Sequence, residues 1–225
     1  MLLSALFSGN VLTIAVTVVA AIFLVFVSIP IHELAHAWAA YKLGDHSVKD
    51  RLTLNPLVHI DPVGAVMIAL IGFGWGRPCQ VDPYAFKNEK KDMALVAAAG
   101  PVANLLLGWL FIFIETMITA LAPHFTGLVI GQAVVIFFST CAQISIWLGV
   151  LNLLPIPMFD GFTVLRAFIS SETEYKIMAN YQTISIVIII LLFSGIITKP
   201  ISLLADLIIA LFSFLSALPF SLFLR

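Results

Sequence analysis

The side chains with the clearest capacity for chemistry are two histidines and a glutamate in the run IHELAHAW. His32 and His36 are four residues apart, so on a helix they lie about 40° apart around the axis and about 6 Å apart along it. Both imidazoles can therefore reach one metal ion, with Glu33 beside it. H-E-x-x-H on a helix is typical of a zinc site in which the glutamate acts as general base toward a zinc-bound water. Because ionisable groups in an apolar helix are costly unless they pair or bind a metal, we favour a functional site over polar residues at a helix end.

Two histidines leave such a site one ligand short, because catalytic zinc usually takes three protein ligands and keeps a fourth position for water. We expect Asp160, in NLLPIPMFDGF, to be the third ligand. It follows an apolar span whose helix is broken by Pro155 and Pro157, and Gly161 permits a tight turn. A carboxylate on this loosened segment can turn inward.

The depth of each residue in its span agrees with this assignment. With Lys42 as an interface marker, His32 lies roughly 15 Å deep and His36 roughly 9 Å deep. By the same count from the basic residue that follows it, Asp160 lies roughly 9 Å deep. Asn104, in AAAGPVANLLLG, lies roughly 18 Å from the polar start of its span, within range of the same metal.

The composition places these residues in a membrane protein. Of the 225 residues, 61% are hydrophobic and 10% are charged, which is more apolar than an ordinary soluble domain. The net charge of -1 and the lack of a Lys/Arg-rich run exclude nucleic acid as a partner. No basic residue precedes the first apolar run, so we expect no removable signal peptide.

Five apolar stretches are long enough to cross the bilayer as helices, which takes about 20 residues. They lie near residues 11–42, 93–121, 128–154, 181–198 and 201–222. A sixth stretch, residues 62–75, is shorter and Gly-rich, and it fits either a short span or a re-entrant element.

The distribution of basic residues favours the re-entrant alternative. If residues 62–75 do not cross, ten of the eleven Lys and Arg residues share one side, with Lys199 alone on the other. If they cross, the split is seven to four. Cytoplasmic loops collect Lys and Arg, so we expect the N-terminus outside, and residues 44–91 and the active site toward the cytoplasm.

Residues 44–91 mix strand-forming residues with turn dipeptides such as Asn55-Pro56 and Asp61-Pro62. We expect short strand-like segments there that dip toward the membrane near the active site. The predicted fold is an all-α polytopic membrane protein with five to six transmembrane helices. Residues 1–225 are expected to form a single domain, with its core in the helices at 11–42, 93–121 and 128–154.

Three motifs on three helices resemble those of the site-2 proteases, the intramembrane zinc metalloproteases of peptidase family M50. HELAH matches the family's zinc helix, and NLLPIPMFDG at residues 152–161 matches its N-x-x-P-x-P-x-x-D-G motif. GPVAN at residues 100–104 is similar to the family's middle-helix motif. No PDZ-like insertion or CBS-like tail is apparent, so the chain resembles the compact form.

The resemblance implies one zinc ion per chain, bound by His32, His36 and Asp160, with Glu33 as the general base. Asn104 and Asn152 are implied to hold the substrate or the developing oxyanion. A strand-like stretch near residues 51–55, or near residues 80–83, is implied to pair with an unwound substrate segment. The implied reaction is hydrolysis of peptide bonds within or next to transmembrane segments of single-span or membrane-tethered proteins, in the lipid bilayer.

Three alternatives remain beside this interpretation. A transporter or metal permease would also place His and Asp in a membrane, but it predicts polar residues through the whole bilayer thickness, not one cluster at one depth. An inactive scaffold predicts the loss of Glu33 or of a ligand, and all are present. His59 and Asp61 are an alternative metal pair, although a turn before Pro62 is the better interpretation. The sequence leaves a homo-oligomer open.

Overall fold

The computed structural model describes residues 10–71 and 76–223, and these are almost entirely helical. Eight helices of seven residues or more are labelled in chain order: α1 Val11–Leu43, α2 Pro62–Ile71, α3 Glu89–Leu121, α4 Val129–Asn152, α5 Asp160–Arg166, α6 Ser171–Ala179, α7 Tyr181–Phe193 and α8 Thr198–Phe223.

Four of these helices, α1, α3, α4 and α8, are long and apolar enough to cross a membrane, and α6 with α7 forms a fifth candidate bent by 69°. The predicted all-α, multi-pass membrane fold is therefore confirmed. The α3 helix begins four residues before the predicted boundary, because the Asn88 side chain caps it by accepting a hydrogen bond from Lys91 N (3.4 Å). The α4 helix ends at Asn152, three residues before Pro155.

The core lies where α1, α3 and α4 pack together, and α8 covers α3 and α4. Its buried side chains include Leu24 from α1, Phe111 from α3, and Ile146 and Leu151 from α4. A hydrogen bond from Trp109 Nε1 to Ser216 Oγ (3.2 Å) joins α3 to α8. This packing brings together the three stretches predicted as the core, at residues 11–42, 93–121 and 128–154.

The span predicted at residues 181–198 is shorter in the structure. The α7 helix has 13 residues, which is about 20 Å of helix and less than the roughly 30 Å of the hydrocarbon core. The preceding α6 is polar and largely exposed, with an ion pair between Lys176 and Glu172 (2.6 Å). The 69° bend between α6 and α7 therefore lies where a polar helix gives way to an apolar one. The last span begins at Thr198, three residues before the predicted start.

The strand-like segments predicted within residues 44–91 are not confirmed. Among the described residues, the backbone pairs there at one isolated antiparallel bridge, between Ile60 and Gly76. The two Asx-Pro dipeptides start helices instead: the Asn55 side chain accepts from Leu57 N, and the Asp61 side chain accepts from Val63 N and Gly64 N. The proline that follows each of them fits the first helical turn, where its missing N–H is not needed.

The α2 helix occupies the first ten residues of the stretch at 62–75, and residues 72–75 lie outside the described part of the chain. Ten helical residues extend about 15 Å, half of the hydrocarbon thickness. The described part of this stretch is therefore too short to cross as a helix.

The loops at residues 45–47 and 82 are joined by the buried side chain of Asp45. It accepts hydrogen bonds from Ser47 N (2.9 Å) and Asp82 N (2.9 Å).

Candidate metal centre

Three candidate metal ligands from distant parts of the chain converge at one point. Asp160 Oδ2 lies 3.2 Å from His32 Nε2 and 3.4 Å from His36 Nε2. The two Nε2 atoms are 3.0 Å apart. Among the described residues, these three form the one group of three or more His, Cys, Asp or Glu side chains close enough together to share a metal ion.

The spacing and the chemistry of these atoms fit zinc. Ligand atoms at 2.0–2.1 Å from one zinc ion, arranged tetrahedrally, lie about 3.3–3.4 Å from one another. The three observed separations, 3.0, 3.2 and 3.4 Å, are close to this spacing. Two imidazole nitrogens and one carboxylate oxygen form a common ligand set for catalytic zinc and leave a fourth position open.

The backbone before Asp160 turns the carboxylate inward. Beyond α4, Met158 has φ 101°, a conformation that residues other than glycine rarely adopt. Gly161 does not have a positive φ. It packs instead against the end of α4, where a Cβ atom would collide with the backbone carbonyls of Leu153 and Leu154. The expected role of Gly161 in a tight turn is thus replaced by close packing, and the turn residue is Met158.

Gly100 sets how closely α3 approaches the two histidines. A Cβ atom at this position would lie 2.7 Å from His32 Cε1 and 2.6 Å from His36 Cε1, closer than real Cβ contacts. The glycine of the GPVAN motif is therefore required by the imidazoles themselves. One ring nitrogen of His36, Nδ1, also donates to the carbonyl of Val96 in the same helix (2.8 Å).

We expect Gly100→Ala to weaken metal binding by about 10–100-fold, the range seen when groups that support metal ligands are altered. The added methyl group must displace one or both imidazoles from the common point. Gly108→Ala is the matched control: its methyl group would press on Ile146 in α4, away from the histidines. Zinc titration of both variants, with thermal unfolding of the zinc-free proteins, separates the two effects. Equal zinc affinity in Gly100→Ala and wild type would contradict this account.

Glu33 lies beside the cluster and is held on one side by the loop after residue 76. Its Oε2 atom accepts a hydrogen bond from Cys79 N (3.0 Å) and lies 3.7 Å from Arg51 Nη2. The same guanidinium donates to the carbonyls of Val58 and Arg77. Arg51 thus ties the loop to Glu33, which is buried but for 7% of its surface.

Cys79 contributes its backbone N–H to this arrangement, while its thiol remains neutral. Burial raises the pKa of the Cys79 thiol to about 11, so it is protonated at neutral pH. Among the described residues, the group of side chains placed to hold a metal ion is His32, His36 and Asp160, and the Cys79 thiol is not part of it.

The two asparagines predicted near the site take different positions. Asn104 is buried, and its amide lies 3.1 Å from His32 Nδ1. Asn152 donates from Nδ2 to the carbonyl of Leu148 in its own helix (3.0 Å). Both line a cavity of about 570 Å³ that also contains the His-His-Asp cluster and Glu33. A second cavity, of about 530 Å³, shares Met93 and Thr163 with the first.

His59 and Asp61, the alternative metal pair, take part in local structure instead. The ring of fully buried His59 contacts the carbonyl of Thr53 through Nε2 (2.7 Å), and Asp61 caps α2. Residues that sequence reasoning missed include Arg51 and the carbonyl of Val96. No local pattern marks either one, because each acts on a helix distant in sequence.

The chain is similar to a known family over most of its length. The family model described as "Peptidase family M50" matches residues 20–196. YwhC of Bacillus subtilis is 38% identical over 174 residues, which cover 74% of this chain and 76% of YwhC. Rip2 of Mycobacterium tuberculosis is 32% identical over 175 residues, covering 74% of this chain and 63% of Rip2, so the chain spans less than two thirds of that protein. Both relatives are named as zinc metalloproteases. No solved structure matches the chain significantly.

The match to the family model contains the whole His-His-Asp cluster and the glutamate beside it, and the spacing of the cluster fits zinc. We therefore conclude that the chain belongs to peptidase family M50 and is a zinc metalloprotease.

Proposed function

We propose that the chain cuts peptide bonds within or next to transmembrane segments of single-span or membrane-tethered proteins. The observation that carries this proposal is the place of the site in the fold: His32, Glu33 and His36 lie inside a membrane-crossing helix of 33 residues. The cavity around them is lined by α1, α3 and α4, the helices of the core. A substrate that reaches this cavity must itself enter the membrane or its interface.

In the proposed site, His32, His36 and Asp160 bind one zinc ion. Zinc supplies Lewis acidity, which polarises the scissile carbonyl and makes a water molecule acidic near neutral pH. Glu33 takes the proton of the attacking water and passes it to the leaving amine. The Cys79 N–H and the Arg51 guanidinium hold the Glu33 carboxylate in place during this transfer. Because water is the nucleophile, no covalent enzyme intermediate is required.

The substrate must be locally unwound, because the carbonyls of a helix are hydrogen-bonded within it. Residues 77–82 form neither helix nor strand, and Pro78, Cys79 and Val81 line the cavity. This supports pairing of the substrate with the stretch near residues 80–83 in preference to the one near residues 51–55. The Asn152 amide carries two N–H groups, and one of them bonds to Leu148. Because Asn152 lines the cavity, the other can donate to substrate or the oxyanion.

We further propose that residues 1–225 act as one domain, with the N-terminus outside and the site toward the cytoplasm. The charge distribution supports this orientation: with α1, α3, α4, α6–α7 and α8 as five spans, Lys199 is the one basic residue on the outer side among those that the structure describes. Lipid is then the surrounding solvent for the exposed apolar side chains, such as Phe26, Leu106 and Leu207.

The test is to map the cut in a membrane substrate. Purified protein in lipid vesicles is mixed with single-span proteins, and the products are identified by mass spectrometry. We expect cuts inside the apolar segment or within a few residues of it, loss of cleavage with a chelator, and recovery when zinc is restored. The control is the soluble part of the same substrate without its span. Equal cleavage of this soluble control would contradict an intramembrane site of action.

A further inference from the structure

The two histidines of the metal centre are supported by different kinds of group. His36 Nδ1 faces the backbone carbonyl of Val96, which can only accept a hydrogen bond. His32 Nδ1 faces the side-chain amide of Asn104 (3.1 Å), whose oxygen lies 3.2 Å from Ser28 Oγ. Ser28 and Asn104 are 1% and 3% exposed, so bulk water does not compete for these contacts. His32 thus rests on a buried chain of two polar side chains.

Zinc binding through Nε2 determines what His32 requires from this chain. A neutral imidazole that binds a metal through Nε2 carries its proton on Nδ1, which must then donate. For His36 the carbonyl of Val96 meets this need directly. For His32 the acceptor has to be the oxygen of the Asn104 amide, which therefore has to face Nδ1 in the zinc-bound protein.

The Asn104 amide can meet this requirement by rotation about its last side-chain bond. The oxygen and nitrogen of an amide are nearly the same size, so the rotation changes donors and acceptors but not packing. As placed here, Asn104 Nδ2 faces His32 and Oδ1 accepts from Ser28 Oγ. This arrangement suits a His32 that carries its proton on Nε2. After rotation, Oδ1 accepts from His32 Nδ1 and Nδ2 donates to Ser28.

Ser28 fits both arrangements because a hydroxyl can donate or accept. It precedes His32 by four residues on α1, so both side chains lie on the same face of the helix, toward α3. A residue that could only donate or only accept would leave one of the two arrangements with an unpaired buried polar group, which is unfavourable.

We propose that Asn104 and Ser28 are positioning residues that support the zinc-binding tautomer of His32. Asn104 supplies the hydrogen-bond acceptor for Nδ1 after its amide rotates, and Ser28 keeps the other atom of that amide paired. This role differs from the contact with substrate or oxyanion that the site-2 protease resemblance implies for Asn104. The proposal rests on the zinc centre, and it does not depend on where the enzyme cuts its substrates.

The test compares zinc affinity in Asn104→Leu and Asn104→Asp, measured by chelator competition on the purified full-length protein. Leucine has a similar shape but no acceptor, so we expect about 10–100-fold weaker zinc binding. Aspartate restores an acceptor for the Nδ1 hydrogen, so we expect zinc affinity within a few-fold of wild type. Unfolding of the zinc-free proteins shows whether any loss is confined to the metal-bound state.

The aspartate variant separates the two roles of Asn104. A carboxylate cannot donate a hydrogen bond to an oxyanion, so a role in oxyanion binding predicts normal zinc affinity and lost cleavage in both variants. Unchanged zinc affinity in Asn104→Leu, or lost affinity in Asn104→Asp, overturns the proposal. Because zinc affinity is measured without substrate, a failure to cleave membrane proteins leaves this result interpretable.

Two further variants complete the comparison. Asn152→Leu is the matched control, because the Asn152 amide lines the same cavity but bonds to its own helix. We expect its zinc affinity to equal that of wild type. Ser28→Ala leaves Asn104 without its second partner, and we expect several-fold weaker zinc binding. Unchanged affinity in Ser28→Ala overturns the part of the proposal that concerns Ser28. The visible spectrum of the cobalt(II)-substituted proteins reports any change in ligand geometry.

Discussion

Glu33→Gln is expected to abolish peptide-bond cleavage while zinc remains bound. Glutamine keeps the size of the side chain, and its oxygen can still accept from Cys79 N, so the loop and the metal ligands stay in place. It cannot take up a proton at neutral pH. Loss of a general base costs about 10²–10⁴-fold in rate, which brings cleavage near or below detection.

The measurement for Glu33→Gln is zinc content by elemental analysis, together with single-turnover cleavage of a single-span substrate. Glu115→Gln is the matched control, because Glu115 is also a partly buried glutamate in a membrane-crossing helix but does not line the cavity of the metal centre. It should cleave at the rate of wild type. Full cleavage by Glu33→Gln with zinc bound would show that another group accepts the proton.

Asp160→Asn is expected to weaken zinc binding by more than about 100-fold, beyond the effect of losing a supporting group. The amide oxygen keeps the position of Oδ2, 3.2 Å from His32 Nε2 and 3.4 Å from His36 Nε2, but it carries no charge. An anionic ligand contributes electrostatic attraction to a divalent cation that a neutral amide lacks. Cleavage should fall in parallel and recover in part at high zinc concentration.

Zinc affinity and cleavage are compared at several zinc concentrations, with Asp206→Asn as the control for the removal of one negative charge. Asp206 is exposed on α8 and takes no part in the cluster. The recovery at high zinc separates lost affinity from lost catalysis. If Asp160→Asn bound zinc as tightly as wild type, the third ligand would have to be sought elsewhere.

Much of this architecture follows from local patterns. The long apolar stretches predict α1, α3 and α4 to within a few residues, because a helix in lipid has to satisfy its own backbone. The four-residue spacing of His32 and His36 places them on one helix face, where the structure has them. The prolines that end the apolar span before it predict Asp160 as the third ligand, and the structure brings Asp160 to both histidines.

The other features of the site depend on contacts between residues that are distant in sequence, and such contacts leave no local pattern. Arg51 lies beside Glu33, but nothing in the sequence around it predicts this contact. The sequence shows Gly100 as part of a motif but does not show why a glycine is needed there. The reason is that two imidazoles lie against its Cα, and this follows only from the packing of α1 against α3. The strand-like segment predicted around Asn55-Pro56 is not confirmed, because Asx-Pro suits a turn and a helix start equally well and here it starts a helix.

Two of the three candidate ligands lie on α1 and the third lies at the start of α5. A bound metal ion would therefore also cross-link two elements that are far apart in the chain. An ion that binds the folded protein alone stabilises it by mass action, by about 4 kcal/mol when free zinc is 1,000 times its dissociation constant. Zinc starvation would therefore remove the reaction and also loosen the segment at residues 153–160 from α1. In a cell, the abundance of the enzyme would then follow the zinc supply, because a loosened chain is a better target for quality-control proteolysis.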